Sequence, residues 1–133
     1  MKRPVRFLIE LSSPAIAVVS VLALGCSGPA PPPVSFHSHI APILNQHCVS
    51  CHVEGKPGTE ASGLQLDSYA HLMKGTRFGA VVVPGDPLSS VINTLVEGRA
   101  DPSIKMPHTS SDQLTAWEIT QLHNWVQQGA RDN

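Results

Sequence analysis

Cys48-Val49-Ser50-Cys51-His52 constrains this chain more than any other stretch. Two thiols spaced C-x-x-C can reach both vinyl groups of one haem, and the adjoining imidazole can take its iron. The pattern therefore predicts one covalent haem c, with Cys48 and Cys51 as thioether sites and His52 as an iron ligand. A structural zinc site needs four ligands, and the chain has no second C-x-x-C to supply them. A redox dithiol would leave His52 without a role, and no thioredoxin-like βαβ pattern surrounds the motif.

An iron held by His52 has a sixth position to fill. A thioether there favours the ferrous state and suits electron transfer, whereas an open position suits binding or activation of small ligands. Met106 is the expected ligand: it lies in an aperiodic stretch from Arg99 to Gln113, and Pro107 stiffens the chain beside it. His108 is its rival, because imidazole also binds iron and lies two residues away. His47 and Met73 are weaker candidates, while His37, His39, His71 and His123 read as surface or half-buried helix residues.

With 133 residues there is room for one domain, and the first part reads as something else. Lys2, Arg3 and Arg6 precede an apolar run from Ala15 to Leu24, about half of what a membrane span needs, so residues 1–25 are expected to be an export signal. Cys26 is the odd cysteine once haem claims the other two. Residues 26–35, rich in proline, should form a semi-rigid tether, leaving 36–133 as the domain. From Ser27 onward six Lys/Arg stand against nine Asp/Glu, which argues against a nucleic-acid partner. Aromatic residues make up only 5% of the chain, so the core should be thin unless a haem fills it.

Apolar periodicity predicts about four short helices. One runs from Ala41 to Cys48 after Phe36 and Ile40, and a second from Asp67 or Ser68 to Lys74 with Gly75 as its stop. A third is expected to open with Asp86 as cap and Pro87 in its first turn, with Val91, Ile92 and Leu95 inward. The last opens on a Thr115/Glu118 capping box and buries Ile119, Leu122, Trp125 and Val126. Gly55-Lys-Pro-Gly58 reads as a break and Val81-Val82-Val83 as a short buried run.

Taken together, Ile40-x-Pro42-Ile43-Leu44, Cys48-x-x-Cys51-His52, Gly63-Leu64-x-Leu66-Asp67, Val83-Pro84-Gly85-Asp86-Pro87-x-Ser89, Met106-Pro107 and Trp125-Val126-x-x-Gly129-Ala130 resemble the planctomycete-type cytochrome c domain. The resemblance implies an all-α, class I cytochrome c-like fold, with terminal helices packed on each other around one haem. It carries over Cys48 and Cys51 as attachment sites, His52 as proximal ligand and Met106 as distal ligand. The chain departs from the family pattern at His108, where many relatives have a second proline. Separately, Leu22-Ala23-Leu24-Gly25-Cys26 resembles a bacterial lipoprotein signal, which implies a lipid anchor on Cys26. The expected product is an exported, membrane-anchored electron carrier rather than an enzyme, with its redox partner on another chain. A haem enzyme or gas sensor with an open or displaceable sixth position is the alternative.

Overall fold

The computed structural model describes residues 30–108 and 113–133; the expected signal, 1–25, and Cys26 lie outside them. Pro31–Asn133 forms one compact unit, all-α, with no strand among the described residues. A π-helical turn, Phe36–Ile40, runs directly into α1, Ala41–His47, because Pro42 fits the first turn of a helix, where no backbone amide is needed. Ser35 opens the π turn by accepting the Ser38 amide through its hydroxyl at 3.2 Å.

Four further α-helices follow: α2, Pro57–Ser62; α3, Tyr69–Lys74; α4, Val91–Val96; and α5, Ala116–Gln127. α2 falls where the sequence reads as a break. Its proline sits in the first turn, and Gly63 stops it in the left-handed region at φ 80°, so the same residues that punctuate the chain frame a helix. α3 has its expected bounds, with Ser68 accepting the His71 amide at 3.2 Å and Gly75 as C-cap.

The third expected helix starts later than expected. Asp86 accepts the amides of Leu88 and Ser89, both at 3.0 Å, and winds a turn rather than a helix. The buried Ser90 hydroxyl ties this turn down, donating to Asp86 O at 2.8 Å and accepting the Val83 amide at 2.8 Å, and only then does α4 begin. Val83 is correspondingly exposed, unlike its buried neighbours Val81 and Val82. α5 carries the full reciprocal capping box of Thr115 and Glu118; Leu122, Trp125 and Val126 are buried as expected, Ile119 only half-buried.

The N-terminal helical turn packs against α5, and α4 against α5. At the first contact, Phe36, Tyr69 and Trp125 form an aromatic cluster with ring centroids 5.2 to 6.4 Å apart, spacings at which edge-to-face pairs attract. Their polar tips are satisfied, Tyr69 donating to Ala130 O at 3.0 Å and Trp125 Nε1 to Arg131 O at 2.9 Å. Val34 and Phe36 donate their amides to Gln128 and Asn133 side chains at 2.8 and 2.9 Å, fixing the approach to the first helix onto the last.

Candidate haem-binding site

Between α1, α2, α4 and α5 the helices leave a cavity of about 480 Å³. Its wall is mainly apolar: Leu44 from α1, Ile92, Leu95 and Val96 from α4, and Leu122 from α5. Val91, expected inward and 45% exposed, also belongs to this wall. Cys48, Cys51, His52, Met106 and His108 all line the same cavity, so the residues singled out from the sequence converge on one place. A large apolar cavity with a few convergent polar groups is the usual form of a cofactor site.

The motif itself is held by short-range bonds. The Cys51 and His52 amides donate to Cys48 O at 3.1 and 3.0 Å, and the Leu66 amide donates to His52 O at 2.8 Å. His52 Nδ1 lies 3.3 Å from the Leu64 carbonyl oxygen. A carbonyl can only accept, so Nδ1 carries the proton and Nε2 is left with its lone pair for a metal. Burial lowers the proton affinity of His52, the Leu64 carbonyl raises it, and nearby His108 lowers it again; the net direction is down, towards the neutral imidazole that ligation requires.

Gly58 was read from the sequence only as a breaker, yet it abuts the ligand. A Cβ at this position would stand 2.7 Å from both Cys51 O and His52 Cε1 and 2.9 Å from His52 Nδ1. α2 therefore folds back directly over the motif, anchored by the Gly58 amide donating to Cys51 O at 2.9 Å. Neither this contact nor the Leu64 carbonyl leaves a sequence signal, since both depend on where the following helix turns.

Cys48 and Cys51 are both unbridged thiols, the first half-buried and the second exposed. Burial, with a smaller contribution from Cys51, pushes the Cys48 thiol up to about 12. Dithiol exchange relies on a thiolate at neutral pH, so this environment opposes a thioredoxin-like role. Among the described residues no group of three or more His, Cys, Asp or Glu could hold a metal ion by itself.

His47, a minor ligand candidate, lines the cavity but directs Nε2 to Glu118 Oε1 at 3.0 Å. Met73 packs on the core and is absent from the cavity wall. His37, His71 and His123 each pair with a carboxylate, of Asp132, Asp67 and Glu97 respectively.

Residues 48–109, from the first cysteine of the motif past Met106-Pro107-His108, match the family model described as Planctomycete cytochrome C. The match covers just under half of the chain and makes this stretch similar to that family. No curated protein and no solved structure matches the chain. Similarity to a cytochrome c family points to a covalent haem c and an electron carrier, and the cavity fits that group: two thiols, an imidazole with its second nitrogen already bonded, and an apolar wall. No helix among the described residues is long and apolar enough to cross a membrane.

Proposed function

We propose that the protein is a monohaem c-type cytochrome that passes single electrons between partner proteins outside the cytosol. Cys48 and Cys51 hold the haem, His52 is the proximal ligand and Met106 the distal one. The observation that carries this reading is the His52 Nδ1 contact with Leu64 O inside an apolar cavity that Met106 also lines. A haem bound there supplies an iron that alternates between ferric and ferrous states. Around it the chain excludes water with Leu44, Ile92 and Leu122, fixes the His52 tautomer, and offers a thioether that favours the reduced state. Cys26 carries a lipid anchor, and the proline-rich tether holds the domain off the membrane surface.

Absorption spectroscopy and redox titration of protein matured with a c-haem assembly system test the ligand set. The haem should resist acid-acetone extraction, the ferric protein should show a far-red methionine–iron band, and Met106→Ala should abolish the band and lower the reduction potential. His108→Ala should leave both nearly unchanged. A wild type that is already high-spin, or a His108→Ala variant that loses the band while Met106→Ala keeps it, would overturn the assignment. The anchor is read from the same cells: Cys26→Ser should move the cytochrome from the membrane fraction to the soluble one.

A further inference from the structure

Among the described residues Glu118 is the one buried acidic side chain, and it pairs with His47. Its Oε2 accepts the Thr115 amide at 2.7 Å and the Thr115 hydroxyl at 2.8 Å, while Oε1 meets His47 Nε2 at 3.0 Å. A glutamine would complete the capping box equally well, so the cap alone does not call for a carboxylate. The two side chains are 12% and 7% exposed, where water screens a charge poorly. Burial works against the ionised form, but the bonds from Thr115 and His47 outweigh it and hold the carboxyl below its usual value.

His47 stands between this carboxylate and the redox centre: it lines the cavity and immediately precedes Cys48 in the chain. The other titratable groups in the cavity wall are Cys48, Cys51, His52 and His108, none of them acidic. We propose that Glu118, one contact away from the cavity through His47, is a buried negative charge that acts through space to lower the reduction potential of the centre. A fixed negative charge in a poorly screened interior favours the ferric form, which carries one more positive charge than the ferrous, and so lowers the potential. Glu118 is thus a positioning and tuning residue. The inference rests on the haem reading above.

The test is the midpoint potential of the haem-loaded protein at low and high salt. Glu118→Gln should raise it, the rise should persist at high salt, and the far-red methionine band should stay as in wild type, with a cooperative melt at a modestly lower temperature. Asp132→Asn, which removes an exposed carboxylate, should give no shift or one that salt erases. His47→Gln leaves the carboxylate in place and should leave the potential at or below the wild-type value. An unchanged potential in Glu118→Gln, a rise accompanied by loss of the methionine band, or a rise in His47→Gln as well would each overturn the proposal. A wild type without covalent haem or without the band would instead sink the functional reading, so the two failures are distinguishable.

Discussion

Gly58 shows what a single missing methyl does for this site. The His52 ring is clamped between the Leu64 carbonyl and the backbone of α2, and there is no room for a Cβ on that side. Gly58→Ala must push either the imidazole or the Cys51 carbonyl away, since contacts under 3.0 Å from a Cβ are not tolerated. The expected result is haem still attached through Cys48 and Cys51 but with a disturbed proximal ligand, seen as a partly high-spin spectrum and a lower melting temperature. A spectrum and melt unchanged from wild type would mean that the ring is not held where the geometry has it. At this scale the sequence was informative wherever chemistry is written in consecutive residues, as in Cys48 to His52. It was silent where a residue matters through a contact outside its local pattern, as Gly58 and Leu64 do at His52 and Glu118 does at His47.

Helix α5 was the most legible element, because its capping box and its apolar face are both local patterns. α2 was missed and α4 placed too early for one shared reason: proline and aspartate serve turns and helix starts alike, and the choice is made by neighbours. Ser90, bonded back to Val83 and Asp86, delays α4, whereas nothing delays α2. The α5 cap also links stability to pH. The folded carboxyl of Glu118 lies below its usual value, so its stabilisation is present above the unfolded value and is lost as the pH falls through the folded one. Thr115→Ala removes the hydroxyl bonds at the cap and should cost about 1 kcal/mol near neutral pH. It should also flatten the loss of stability on acidification, because the carboxyl then returns towards its ordinary value. Denaturant titrations at several pH values check both, and an acid dependence as steep as that of wild type would show that the Thr115 hydroxyl does not help to hold Glu118 down.

Across the whole domain, two centres of packing divide the work. The Phe36–Tyr69–Trp125 cluster ties the first helical turn, α3 and the end of α5 together, and none of its three rings lines the cavity. The cavity wall, in contrast, draws on α1, α2, α4, α5 and the Met106 loop, but not on α3. Leu44, Ile92, Val96 and Leu122 of the wall lie in the same buried core as Phe36 and Trp125, whereas α2 adds no buried residue to it, so the haem is expected to be what holds α2 and the Met106 loop in place. Haem-free protein, obtained as the Cys48→Ser/Cys51→Ser double variant, should therefore lose its two halves unequally. Amides of the Phe36–Ile40 turn and the second half of α5 should keep appreciable protection from hydrogen exchange, while α2 and residues 99–108 exchange freely. Haem attachment in the wild type should protect all of these together and sharpen the melt into one transition. Equal protection of α2 and α5 in the haem-free protein would show that the cavity walls stand without the cofactor, and the division into two packing centres would have to be abandoned.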